Sequence, residues 1–198
     1  MAQFNLAEVE HSGSHFLNHL TNTGKILEGW GCPHYLVAAG ICHSLYGTQY
    51  FELSEGPDRE KVKEILDERA ERIVYLFCTM QRTSLYANRD LAPTVQKTVI
   101  NRFDGVGIPI SDEDFRDLVS LDVANFLEQR RRAGWKGLRW DAMARRNYTG
   151  MSPFLPEAAA REIEPYLQGV RHLWLRLKKQ APIMPAEGPV ALNASKST

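Results

Sequence analysis

The stretch HYLVAAGICHS, residues 34–44, decides the fold. It opens after Pro33, whose missing N–H is not needed in a first helical turn. From Tyr35 to Cys42 it is apolar on nearly every side. A helix without a polar face belongs inside a core, so other helices must surround it. The helix closes on His43, and an unpartnered buried imidazole costs on the order of 1–3 kcal/mol. The segment therefore predicts a polar partner for His43 in the interior.

Working outward, Phe16, Leu20, Ile26, Leu27 and Trp30 recur at helical spacing, and Gly29 and Gly31 end that segment. On the other side, residues 45–57 read as a loop around Gly47 and Gly56. Pro57-Asp58 opens a charged helix, and AERIVYLFCTM, residues 70–80, is a second largely buried one. Residues 81–109 are polar and broken by Asn88, Pro93 and Gly105-Val106-Gly107, which predicts a short helix, a turn and a mobile connection. Ser111 to Asp114 form an S-x-x-D capping pattern. The helix they start runs to about Arg132, where Arg130, Arg131 and Arg132 meet the negative end of its dipole, and Gly134 stops it.

Residues 135–148 are amphipathic, anchored by Trp135, Leu138 and Trp140. Pro156-Glu157 begins a last helix carrying Ile163, Leu167, Val170, Leu173, Trp174 and Leu177 on one stripe. Residues 181–198 turn to Pro, Ala, Gly, Ser and Lys without period, the composition of a disordered tail. No alternating strand pattern stands out, so the fold class read here is all-α. One helical domain is expected over residues 1–180, with its core at about 10–130 and a C-terminal helical brace at about 135–180.

Composition narrows the partners. Lys+Arg and Asp+Glu both number 24, so the formal net charge is zero. A general nucleic-acid binder needs a basic surplus, and none is present. No apolar run approaches the length of a membrane span. Three cysteines without a CxxC pair exclude a zinc knuckle and favour a reduced, cytoplasmic setting. A small-molecule substrate is the expected partner, and the Trp-bearing C-terminal helices could form the face of a homodimer.

Five of the six histidines fall within the first 43 residues. His11, His15 and His19 are spaced by four, which puts them on one side of any helix that spans all three. Gly13 lies within that span, so a helix beginning near Ser14 would leave His11 on a loop. Imidazole is also the commonest ligand for first-row metals. His34 and His172 read as surface positions.

Taken together, His19-Leu20, Trp30-Gly31, the Ala38-Ala39-Gly40 to His43-Ser44 segment, and the helix at residues 70–77 resemble the HD-domain superfamily. The layout is similar to that of the RelA/SpoT-type alarmone hydrolases. The fuller pattern H-S-G, H-L, W-G, A-G and H-S-x-Y-G-T is similar to an uncharacterised HD-like branch. The resemblance covers about residues 10–130 and implies a helical bundle with additional C-terminal helices. It also implies a metal site in which His19 and His43 take the histidine positions and Asp122, in Leu121-Asp122-Val123, the late carboxylate. Ser44 stands where the family has aspartate, and serine is a poor ligand.

Three arrangements stay open at this point. His19, His43 and Asp122 could hold one divalent ion (iron, manganese or zinc) as a 2-His-1-carboxylate set. His11 or His15 could replace the lost ligand. Or the metal is gone, and the pocket works by acid–base chemistry or binds only. The function the resemblance implies is hydrolysis of a phosphorylated or nucleotide-like small molecule. The alternatives are a mononuclear iron oxygenase or lyase, and a degenerate HD domain that only binds a ligand.

Several further residues are candidates. Ser44, Tyr46 and Glu71 could serve catalysis, Glu71 as an acceptor behind a ligating imidazole. Thr48 and Gln49, in the loop after His43, could orient a substrate. Arg59, Arg82 and Arg89 could clamp a carboxylate or phosphate. Asn125, near Asp122 on the same helix, could fix that carboxylate or the substrate.

Overall fold

A computed structural model of the protein describes residues 13–49 and 56–168, apart from the side chains of residues 13–15 and 135. It is mostly helical. Helix α1 spans Gly13–Gly29 and α2 spans His34–Cys42; α3 covers Arg59–Leu66, α4 Glu68–Thr79 and α5 Arg82–Ala87. Strands β1 (Lys97–Ile100) and β2 (Gly107–Ile110) follow, then α6 (Asp112–Ala133), α7 (Leu138–Tyr148) and α8 (Glu157–Leu167).

The local signals account for most of these limits. Asp58 caps α3, its carboxylate accepting from the backbone N–H of Glu60 and Lys61. Asp67, at a φ of 75°, separates α3 from α4 and caps the latter through Ala70 N–H. Ser111 and Asp114 form the full reciprocal capping box of α6, and Gly134 ends that helix at positive φ. Helix α8 carries Pro165 inside it, and the stripe expected beyond residue 168 lies outside the described residues, as does the tail at 181–198.

One element was not foreseen. Residues 97–100 and 107–110 pair as an antiparallel hairpin, Lys97 opposite Ile110 and Ile100 opposite Gly107. The structure is therefore mostly-α rather than all-α. Each strand has only four residues, too short for alternation to register, and Pro109 and two glycines make the segment read as loop. Burial explains why it forms: Val99 and Ile110 are buried in the same hydrophobic core as Phe115 of α6.

The core is centred on α6, whose Phe115, Leu118, Leu121, Val123 and Leu127 are buried against α1, α2, α4 and α8. Helices α1 and α2 pack most intimately, because both present glycine at the crossing. A Cβ on Gly40 would lie 2.5 Å from Leu27 Cδ1 and 3.3 Å from the Cα of Gly24. One on Gly24 would meet Ile41 Cγ1 at 2.5 Å. The two backbones thus approach as only glycine permits.

Gly40→Val is expected to lower the unfolding free energy by about 1–3 kcal/mol through overpacking, although valine is the better helix former. Urea denaturation checks this. A midpoint at or above that of the wild type would mean that the crossing has slack.

Candidate functional site

Helices α1 and α2 bring His19 and His43 together from 24 residues apart. Their Nε2 atoms are 3.1 Å from each other, and the rings stand edge to face. Each ring is anchored through its other nitrogen. His43 Nδ1 donates to the carbonyl of Gly40, one turn back, at 2.7 Å. His19 Nδ1 is hydrogen-bonded to the carboxylate of Glu128 on α6.

Donor and acceptor roles follow. A carbonyl can only accept, so the His43 proton is on Nδ1 and its Nε2 presents a lone pair. Burial, with the His19 charge and Arg82 nearby, holds the His43 imidazole well below its ordinary 6.5, at about 3. His19 must then donate from Nε2 to His43 while Nδ1 donates to Glu128. Burial alone would raise the Glu128 carboxyl, but the His19 hydrogen bond and charge outweigh it and hold Glu128 below the ordinary carboxylate range. All four ring nitrogens have partners.

Asp122 is engaged elsewhere. Its Oδ1 accepts from Arg82 Nη1, and its Oδ2 from Tyr86 at 2.7 Å and Tyr148 at 3.0 Å. Burial first, then the Asp122 charge, pushes both tyrosine hydroxyls up, so they remain donors. The set His19, His43 and Asp122 expected for a metal thus does not assemble. Among the described residues, no group of three His, Cys, Asp or Glu side chains is placed to hold an ion. The residues present do not fit the three-ligand site. His11 lies outside the described residues, and so does the side chain of His15.

The Asp122 cluster forms one wall of a cleft of about 250 Å³ bounded by α5, α6 and α7. Gln49, Arg82 and Asn125, all read from sequence as substrate contacts, line it together with Asp122. Gln49 Oε1 accepts the backbone N–H of Arg82 at 3.2 Å, which ties the loop after α2 to the start of α5. The Arg82 guanidinium lies 3.4 Å over the Phe77 ring, and the same ring packs edgewise on His43. Phe77 is thus the apolar partition between cleft and histidine pair. A broader groove of about 550 Å³ between α1, α6 and α8 carries Lys25, Arg131 and Arg132, but its carboxylates, Glu128 and Glu162, are already paired.

The remaining candidates group apart from this cleft. Glu71 is fully buried and accepts from Arg59 through both oxygens and from Tyr46 at 3.0 Å. It supports no imidazole. Arg59 stacks on Tyr75 at 3.5 Å, so its role is to neutralise Glu71 rather than to clamp a ligand from outside. Ser44 and Thr48 are buried on either side of the Gly47 turn. Arg89 binds the carbonyl of Thr149 at 2.9 Å, fixing the end of α7.

Sequence reasoning missed Glu128, Tyr86, Tyr148 and the cleft residues Trp140 and Arg146. The one available signal was that a carboxylate as buried as Asp122 requires donors. It does not say which donors.

The depressed His43 pKa makes a prediction about stability. Well above pH 6.5 the imidazole is neutral in both folded and unfolded protein, so its contribution is constant. As pH falls from 6.5 toward about 3, the unfolded chain takes up a proton that the folded protein refuses, and stability falls. The slope from one such group is at most about 1.4 kcal/mol per pH unit. His43→Gln, which cannot titrate, should show a shallower decline in urea midpoint between pH 7 and pH 5 than the wild type. Equal slopes would contradict a neutral, buried His43.

In comparison with known proteins, residues 1–82 match the model of a family described as a domain of unknown function (DUF6817). The matched stretch includes both histidines and ends at Arg82; Asp122 and Glu128 lie beyond it. No curated protein and no solved structure matches the chain.

Proposed function

We propose that the protein is an HD-like helical domain that binds a small polar molecule in the cleft over Asp122, without the metal chemistry that the resemblance implies. One observation carries this reading: the groups that would serve as ligands are satisfied by protein partners. His19 and His43 are bonded to each other and held by Glu128 and Gly40. Asp122 receives Arg82 and two tyrosines. Hydrogen bonds and a guanidinium thus do the work of charge balance, and the cleft over Asp122 leaves placed polar groups open beside an apolar wall. Small-molecule sites typically combine an apolar wall with a few placed polar groups. Here Phe126 and Trp140 supply the wall, and Gln49, Arg82 and Asn125 the polar groups.

Thermal unfolding against a panel of nucleotides, sugar phosphates and small carboxylates tests the reading. A compound that raises the wild-type midpoint should fail to do so for Asn125→Trp, which fills the cleft, and should be recovered unchanged. Chemical conversion of the bound compound would overturn the binding-only reading.

A second reading, a metal-dependent hydrolase of a phosphorylated small molecule, is favoured by the His19–His43 geometry. Two nitrogens 3.1 Å apart, each oriented by an acceptor on its far side, are also placed to share an ion at bonds of about 2.0–2.1 Å. This reading predicts about one equivalent of iron, manganese or zinc in purified protein, lost on His19→Ala or His43→Ala. It also predicts phosphate release from a nucleotide panel on adding manganese or zinc. Metal content that the histidine variants leave unchanged would sink it.

A further inference from the structure

Arg82 is a buried cation with an unsatisfied donor. It is 5% exposed, its Nη1 is committed to Asp122, and its buried Nε–H has no acceptor. A buried donor left unpaired costs roughly 1–3 kcal/mol, and native proteins rarely leave one without a purpose. A buried guanidinium can be matched by a second carboxylate, as Arg69 is by Asp114 and Asp117, although its Nε too has no acceptor. None is supplied to Arg82, although it forms a wall of the cleft. The cleft's charged residues are Arg82, Arg146 and Asp122. Asp122 is neutralised by Arg82 and receives two hydroxyl donors besides. What remains is one exposed guanidinium, Arg146, and the unpaired Nε edge of another. Both lack an anion.

The shape limits which anion. The volume of about 250 Å³ is below the usual range for drug-sized ligands, so a dinucleotide is too large. Phe126 and Trp140 offer apolar and aromatic surface, and Asn125 and Gln129, joined to each other at 2.9 Å, add amide groups. A guanidinium edge presents two N–H groups in a plane, matching two oxygens of one carboxylate or phosphate.

From this we infer that the cleft is a receptor for a small oxyanion with a flat apolar body, its carboxylate or phosphate oxygens received by the free edge of Arg82 and by Arg146. The inference rests on the cleft being the ligand site, and it adds the ligand's class. Binding would supply the missing acceptor to Arg82 while leaving the Asp122 pair in place, after a local shift that opens the buried Nε edge to the cleft.

Calorimetric titration of the full chain with phenyl phosphate, phenylacetate and the neutral 2-phenylethanol tests this. Either oxyanion should bind at least about tenfold more tightly than the alcohol, the loss of a charge-assisted hydrogen bond being worth that much. The tighter of the two identifies phosphate or carboxylate as the natural group. Arg82→Lys keeps a cation for Asp122 but removes the planar edge, and should weaken the oxyanion about tenfold while leaving the alcohol unchanged. Arg146→Gln, at an exposed position, should weaken it without affecting folding, and carries the test should Arg82→Lys fail to fold. Oxyanion affinity equal to that of the alcohol, or unchanged in the folded variants, overturns the inference. If 2-phenylethanol alone binds, and Asn125→Trp blocks it, the cleft remains the ligand site and only the anion class falls. If nothing binds and Asn125→Trp changes no midpoint in the wider panel, the cleft reading falls as well.

Discussion

The arrangement depends on one residue without a side chain. Gly40 lets α2 approach α1 until a Cβ would be 3.3 Å from the Cα of Gly24, and this closeness brings two imidazoles from different helices within hydrogen-bond range. Its carbonyl then takes the Nδ1 proton of His43. That bond selects the tautomer, and the tautomer decides that His43 can only accept at Nε2. Helix separation, ring orientation and proton placement are therefore consequences of the same position. A larger residue there would change all three together, because helix packing and hydrogen-bond direction share one backbone unit.

Charge in the interior is distributed as matched pairs rather than gathered at one centre. His19 is paired with Glu128, Arg82 with Asp122 and Arg59 with Glu71. A buried pair gains little net stability, since desolvation consumes most of the attraction, but breaking one by removing a partner is costly. Such pairs act mainly as registers. The first two join helices distant in sequence, α1 to α6 and α5 to α6, and the third ties the consecutive α3 and α4. The Phe77 ring between His43 and Arg82 keeps two of these systems adjacent without merging them.

Legibility in the sequence followed the range of the interaction. Elements written locally could be read: the Ser111 capping box, the Gly134 stop, the Asp58 start and the apolar helix ending on His43 all involve residues within four positions of each other. That His43 has a polar partner was also readable, because burial of an imidazole demands one; that His19 lies beside it was implied only by the HD resemblance, which put the two on a metal rather than on each other. Glu128 was not, since its bond to His19 spans 109 positions and depends on how α6 crosses α1. The hairpin escaped for a different reason. Val99 and Ile110 form strand because the core beneath them needs closing, a tertiary cause that outweighs the weak signal of eight residues. Arg59, Glu71 and Tyr46 were recognised as chemically capable, but capability did not reveal that they satisfy one another.

Ser44 takes on a different meaning in this setting. Read against a metal-binding pattern, it is a lost ligand. Read against the interior charges, it is the residue that keeps the balance. Glu128 and Asp122 already flank the site from α6, Glu128 beside His19 and Arg132 and Asp122 beside Arg82. A carboxylate at position 44, 5% exposed and beside a neutral His43, would be a third negative charge with no cation assigned to it. Removing an unpaired carboxylate from water costs several kcal/mol unless a metal or a further base accompanies it. Serine at 44 and arginine at 82 are therefore two halves of one solution. With Arg82 supplying the positive charge that Asp122 requires, the position after His43 does best without a charge of its own.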